Sequence, residues 1–325
     1  MKWAQKAGLA AALLAGLVAA VWLVWAIGFD AVFAAVARAG IGGLALLCLY
    51  SLVVFVTLAF AWSSLLPAAQ RVSIPDFYLA RLVRDSIAEI SPFSPVGGMV
   101  AAARLMILKG MNAGYAAASV AADATTEAMA QVAFLAFGVA MAALHFSGAH
   151  AGPVLYAMIA TLLLAVPGIA ALIFLQKRGA NFAERIAGRF FPQVKDGTSF
   201  REAIHDLYDS PARLAASASW HLLAWVGAGG GTWLGFRLVG ADISLLDAMA
   251  LEALLCTLRS VAAFVPAAIG VQEGGYAVLA QLFGLPAEMG LAVSLLKRAR
   301  EIVLGVPALI YWQAIEGRTA LRSTP

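Results

Sequence analysis

Apolar residues fill this chain in stretches of about twenty or more, separated by short polar intervals, without the strict alternation of strands. Six stretches, about 7–28, 43–66, 113–146, 153–176, 214–239 and 288–315, are long enough for a helix to cross the ~30 Å hydrocarbon core of a bilayer. Two others, 76–110 and 244–284, are interrupted near their middles. The first break reads Ser91-Pro92-Phe93-Ser94-Pro95-Val96-Gly97-Gly98, the second Pro266-Ala267-Ala268-Ile269-Gly270-Val271-Gln272-Glu273-Gly274-Gly275. Proline removes a helix donor and collides with the preceding turn, so each interrupted segment predicts two short helices folded back as a re-entrant hairpin.

The two interrupted segments align with each other. An offset of 171 residues brings Ser73, Asp76, Phe93 and Pro95 onto Ser244, Asp247, Phe264 and Pro266. After three extra residues in the second copy, an offset of 174 brings Gly110 and Glu127 onto Gly284 and Glu301. The shared Ser-x-x-Asp, Phe-x-Pro, Gly and Glu predict an internal repeat with halves at about 73–146 and 244–315 of a single polytopic domain.

Charge sets the orientation, because Lys and Arg concentrate on the cytoplasmic side. With the N-terminus inside and both hairpins re-entrant, thirteen basic residues fall inside: Lys2, Lys6, Arg71, Lys109, Arg318, Arg322 and seven in the 177–213 loop. Arg38 alone falls outside, in a short amphipathic stretch from Asp30 to Ala39. Both termini are then cytoplasmic, and the hairpins enter from opposite faces, an inverted repeat of the kind that builds alternating-access transporters. The run from Ala7 to Gly28 is read as an uncleaved first span, being longer than a signal-peptide core. The 177–213 loop mixes seven basic and five acidic residues with aromatics and predicts interfacial helices against the anionic leaflet.

Composition agrees: 62% of the 325 residues are hydrophobic and 12% charged, against roughly a quarter charged in soluble domains. The fold class expected is all-α integral membrane, with about six full spans plus two re-entrant hairpins. Cys48 and Cys256 lie in apolar stretches and read as small hydrophobes. The four histidines show no metal-ligand spacing and there is no phosphate-binding G-x-x-x-x-G-K-[ST], so no metal, cofactor or nucleotide is expected, and no nucleic acid.

Ionisable groups inside spans are costly and mark function. Arg81, Arg84, Asp85 and Glu89 share one helical face leading to the first break. That face either snorkels with Arg81 paired to Asp85 or meets a lipid headgroup. Asp123 and Glu127 lie deep in one span; Lys297, Arg298, Arg300 and Glu301 lie at the matching depth of the last. The opposite signs predict an ion-pair network between the halves, either fixed or part of a polar path. At the breaks, Gly97, Gly98, Gly274 and Gly275 permit close backbone approach, and half-helix N-termini suit an anionic group. Gln272 and Glu273 sit at the second tip, with Arg104, Arg259 or Arg300 as candidate cations for Glu273. Gly227, Gly231 and Gly235 predict close helix packing.

The two break motifs, with Leu296-Lys297-Arg298-Ala299-Arg300-Glu301 and Gly305-Val306-Pro307, resemble the lysylphosphatidylglycerol synthase transmembrane, or flippase-like, family over nearly the whole chain. The Phe-Ser-Pro-Val-Gly-Gly wording is most similar to its hopanoid-biosynthesis-associated members in the inner membrane of Gram-negative bacteria. The resemblance implies translocation of a hopanoid or an anionic or aminoacylated phospholipid, with Gln272, Glu273, Arg300 and Glu301 as polar site residues. It implies no enzymatic activity, since the aminoacyl-transferring domain has no counterpart in this sequence. Where many members place an acidic residue after the first break's glycine, this chain has Met99. Alternatives are a headgroup-modifying membrane enzyme using Glu273 or Glu127 as base, or a scaffold for lipid-biosynthetic enzymes acting through the 177–213 loop. Homo-oligomers fit any of the three.

Overall fold

A computed structural model describes residues 29–90, 94–145, 151–178, 199–262, 265 and 268–322. The expected first span, 7–28, and most of the 177–213 loop lie outside the described residues. Within them the chain forms ten α-helices and no strand. In order they are α1 (Phe29–Leu65), α2 (Ile74–Ile90), α3 (Ser94–Leu108), α4 (Ala113–His145), α5 (Ala151–Arg178), α6 (Phe200–Tyr208), α7 (Pro211–Leu238), α8 (Leu245–Val261), α9 (Val271–Leu282) and α10 (Ala287–Arg322).

Every long apolar stretch within the described residues became a helix, and each interrupted segment became two: α2 and α3, α8 and α9. Among the described residues, three stretches are apolar and long enough to cross a membrane by composition alone, Val36–Leu65, Ala113–Leu144 and Ile159–Gln176. Helices α7 and α10 have the length, at 28 and 36 residues, but carry polar and charged side chains that lower their hydropathy. The stretch from Asp30 to Ala39 forms a short helical piece set off from the rest of α1 by a kink at Gly40, whose φ of 58° breaks the helical ladder.

The two hairpin segments use the same local devices. At the start of α2, Ser73 Oγ donates to Asp76 Oδ2 at 2.6 Å and accepts the Asp76 N–H. At the start of α8, Ser244 and Asp247 make the same pair of bonds, again with 2.6 Å between the side chains. At the far ends, Gly110 and Gly284 adopt φ of 96° and 75°. In each case the following N–H reaches back five residues, Met111 to Met106 and Leu285 to Ala280.

Packing follows the same plan. Helix α2 of the first hairpin lies against α10, and α8 of the second lies against α4, while α1 and α7 pack along each other. Small residues on α7 make that last contact close. Tyr50 lies over Gly230 and Gly231 and donates to the Gly227 carbonyl at 2.8 Å; a Cβ on Gly227 would sit 2.9 Å from Val54. The hairpin arms touch through glycine as well. A Cβ on Gly98 would lie 2.3 Å from the Arg84 carbonyl, and one on Gly275 would lie 2.7 Å from Leu255, the residue that the 171 offset pairs with Arg84.

The described part of the 177–213 loop corrects one expectation. Helix α6, capped by a Ser199–Glu202 box, turns Phe200, Ala203, Ile204, Leu207 and Tyr208 inward onto α4, so protein rather than the leaflet covers its apolar face. Tyr208 donates to Thr125 at 2.9 Å, and Arg213 and Tyr115 bind the Asp206 carboxylate. The Arg213 guanidinium holds that carboxyl below its usual range.

Candidate functional site

The deep charges gather where α1, α2, α4, α7, α8 and α10 meet. Asp123 lies ten residues into α4 and Lys297 ten residues into α10, about 15 Å along each helix at 1.5 Å per residue. Neither pairs across to the other helix, so the expected network between the halves does not run through these two residues. Asp123 is fully buried and held by Arg81 Nη1 at 2.7 Å, Arg84 Nη1 at 2.5 Å and His221 Nε2 at 3.0 Å. Glu127, one turn on, is held by the same two guanidinium groups at 3.1 and 2.8 Å. Arg81 also meets Asp85 at 3.3 Å, so the local Arg81–Asp85 contact is present within a larger set.

Lys297 binds Glu252 of α8 at 2.9 Å, with Thr232 Oγ1 donating to Glu252 at 2.5 Å and the Tyr276 hydroxyl at 2.8 Å. Buried charges demand such full satisfaction, since an unpaired one would cost several kcal/mol. Sequence reasoning passed over Glu252, Tyr276, Thr232 and His221. Glu252 carried a usable signal: it is a carboxylate in an apolar helix, and the 171 offset sets it on Arg81.

The link across the molecule is made elsewhere. Glu89 at the end of α2 binds Arg259 of α8 at 2.5 Å and lies 3.8 Å from Arg298 of α10. Arg298, rather than Arg104, Arg259 or Arg300, is the partner of Glu273, at 2.9 Å, and it also meets Glu301 at 3.2 Å. The other Glu273 oxygen accepts the Gly270 N–H at 2.7 Å, closing the start of α9. Arg300 bonds Glu301 at 3.1 Å and Ser51 at 3.3 Å.

Two adjoining cavities open among these side chains. One of about 200 Å³ is bordered by Tyr50, Ser51, Arg81, Glu252, Arg259 and Lys297; the other, of about 310 Å³, by Arg84, Ser86, Leu304 and Gly305. Phe55, Asp85, Glu89, Glu127, Arg300 and Glu301 border both. Cavities of this size hold several waters or a small polar group, and at this depth the walls offer ionic groups of both signs.

The sequence-selected residues therefore divide. Arg81, Arg84, Asp85, Glu89, Glu127, Arg259, Lys297, Arg300 and Glu301 border the cavities, and Asp123 anchors them from behind. Gln272 is buried against Ser294 and Glu273 against Gly270 and Arg298; neither borders either of these two cavities. Gly98 serves the close approach of α3 to α2, while Gly97 and Gly274 are partly exposed. Arg104 pairs with Glu316 of α10, apart from the cluster.

Comparison with curated proteins and with solved structures found no match. The family described as the lysylphosphatidylglycerol synthase TM region matches residues 9–308, a stretch that contains both interrupted segments and every charge bordering the cavities. An all-α chain of long apolar helices with that match over nearly its whole length is a membrane protein of lipid-related kinship, and it belongs to the lysylphosphatidylglycerol synthase transmembrane family.

Proposed function

We propose that the protein moves a polar-headed lipid, a hopanoid or a phospholipid, between the leaflets of the inner membrane without chemically changing it. One observation carries this reading: cavities walled by charges of both signs lie among apolar helices, where a headgroup crossing the bilayer needs ionic partners. The shared caps, shared glycine ends and reciprocal packing of α2 on α10 and α8 on α4 support an inverted repeat with halves at 73–146 and 244–315. Such a repeat lets two equivalent halves expose one site alternately. Both termini face the cytoplasm in this reading, and the lipid is the principal partner.

The test is reconstitution in vesicles containing a labelled lipid and measurement of its transfer between leaflets. Acceleration by the wild-type chain, lost in a Glu127→Gln, Glu301→Gln double variant, is the expected result. No acceleration for any headgroup offered would end the proposal.

A further inference from the structure

The walls of the two cavities carry five cations, Arg81, Arg84, Arg259, Lys297 and Arg300, and five carboxylates, Asp85, Glu89, Glu127, Glu252 and Glu301. The ion pairs extend behind those walls to Asp123 and to Glu273 with Arg298, which makes six cations against seven carboxylates while His221, on Asp123, is neutral. Assigned by distance, Asp123 and Glu127 take Arg81 and Arg84, Glu89 takes Arg259, Glu252 takes Lys297, Glu273 takes Arg298 and Glu301 takes Arg300. Asp85 is left over. Its cationic contacts, 3.3 Å to Arg81 and 3.8 Å to Arg84, are to guanidinium groups already bound to Asp123 and Glu127 at 2.5 to 3.1 Å.

We propose that Asp85 is a proton-binding site and that proton exchange there is coupled to the movement of lipid; the coupling, though not the site itself, rests on the function proposed above. A surplus carboxylate in a low-dielectric setting is driven to neutralise, and a proton is the smallest cation that achieves this. Cavity water on one side delivers the proton to a carboxylate oxygen, giving the neutral acid, and water on the other side takes it back. No electrons move. Asp85 borders both cavities and is 27% exposed; Glu89 and Glu127 border them with similar exposure, but each has a guanidinium within 3 Å, whereas Asp85 has none closer than 3.3 Å. The cavity wall is also incompletely satisfied: Arg81, 1% exposed, has an Nε without an acceptor among the described residues.

The charges facing Asp85 come from four helices. Its own α2 supplies Arg81, Arg84 and Glu89; α4 supplies Asp123 and Glu127. Helix α10 brings Lys297, Arg300 and Glu301 to the same cavities, and α8 brings Glu252 and Arg259. Helix α1 contributes Tyr50 and Ser51 but no charge, and α3 contributes nothing to either cavity wall. His221 of α7 is the other place a proton could rest. Its Nδ1 has no partner among the described residues, so charging the ring would bury an unsatisfied N–H.

Infrared difference spectroscopy of the purified protein in phosphatidylethanolamine and phosphatidylglycerol vesicles reads the site directly. A carboxylic-acid carbonyl band that disappears as the pH is raised, absent in Asp85→Asn, restored by Asp85→Glu and retained in Glu301→Gln, is expected. A band that persists in Asp85→Asn, or no such band in the wild type, overturns the site. Transfer of tail-labelled phosphatidylethanolamine in the same vesicles reads the coupling. The wild-type rate should change with the direction of an imposed pH gradient, and Asp85→Asn should lose that dependence. Wild-type transfer indifferent to the gradient overturns the coupling. If no labelled lipid moves under any condition, the translocation reading and the coupling fall together, and the infrared result still decides Asp85.

Discussion

Arg81–Asp123 and Glu252–Lys297 occupy matching places with their signs exchanged. The offset of 171 carries Arg81 onto Glu252, and that of 174 carries Asp123 onto Lys297. The fold thus requires a buried pair between hairpin and long helix and is indifferent to its polarity. Their surroundings differ. Around Asp123 lie two guanidinium groups, a second carboxylate and a histidine, several of them reaching the cavities. Around Lys297 the polar partners are Glu252 and the hydroxyls of Thr232 and Tyr276, all within 3.0 Å. The first is an open network that can redistribute charge among several ionic groups, and the second, although it also borders the first cavity, is one ion pair locked by two hydroxyls.

The strongest way to break this comparison is to remove one partner from each pair. Asp123→Ala strands Arg81, Arg84 and His221 around one remaining carboxylate of α4 and should cost about 4–5 kcal/mol. Lys297→Met leaves Glu252 buried but still bonded by two hydroxyls, for a loss of about 3 kcal/mol. Thermal unfolding in detergent gives both values, and the reverse ranking would show that the open network tolerates loss better than the lock does.

Removing both partners sharpens the contrast. Glu252→Leu with Lys297→Met leaves Thr232 and Tyr276, already 3.2 Å apart, to bond each other, and stability should stay within about 1 kcal/mol of wild type. Arg81→Met with Asp123→Leu leaves Asp85 and Glu127 on Arg84 alone and should still cost about 2–3 kcal/mol. Equal outcomes would mean that the two clusters are energetically the same kind of object.

Much of this was legible in the chain. The Pro and Gly breaks marked four short helices, because proline cannot continue a helix whatever its surroundings, and Ser-x-x-Asp marked two of their starts. The depth of Asp123, Glu127, Lys297 and Glu301 was readable from their distance along apolar runs. The pairing was not. Asp123 faces Arg81 rather than α10 because the rotation of α2 about its axis sets where each guanidinium points, and that rotation is not written in spacing. Glu252 escaped because a lone carboxylate in an apolar helix looks like an isolated feature until its repeat position is compared with Arg81. Arg104 misled in the opposite sense: it follows the first break closely, yet α3 carries it toward Glu316.

The glycine contacts offer a smaller test of the same two-part plan. Gly98→Ala would drive a Cβ to 2.3 Å from the Arg84 carbonyl, a backbone atom that cannot rotate away, so α2 and α3 must separate at a cost of about 2 kcal/mol. Because Arg84 holds Asp123 and Glu127, lipid transfer should fall as well. Gly275→Ala meets the side-chain tips of Leu255 and Leu258, which can change rotamer, and should cost about 1 kcal/mol or less. A larger loss at Gly275 than at Gly98 would place the tighter hairpin in the second segment.

The smallest effects should also be the most alike. Ser73→Ala and Ser244→Ala each remove a hydroxyl that accepts an N–H at the first turn and donates to the aspartate three residues on, with identical 2.6 Å side-chain distances. Caps of this kind contribute about 1 kcal/mol. Asp76 keeps Lys109 at 2.7 Å when Ser73 is lost, which holds the two ends of the first hairpin together, so its variant should lose slightly less. Unfolding of the two variants should therefore coincide to within a few tenths of a kcal/mol, with Ser244→Ala the weaker. A clear gap in the other direction would mean that the caps, though identical in geometry, support hairpins of different intrinsic stability, and the likeness between the segments would end at their first turns.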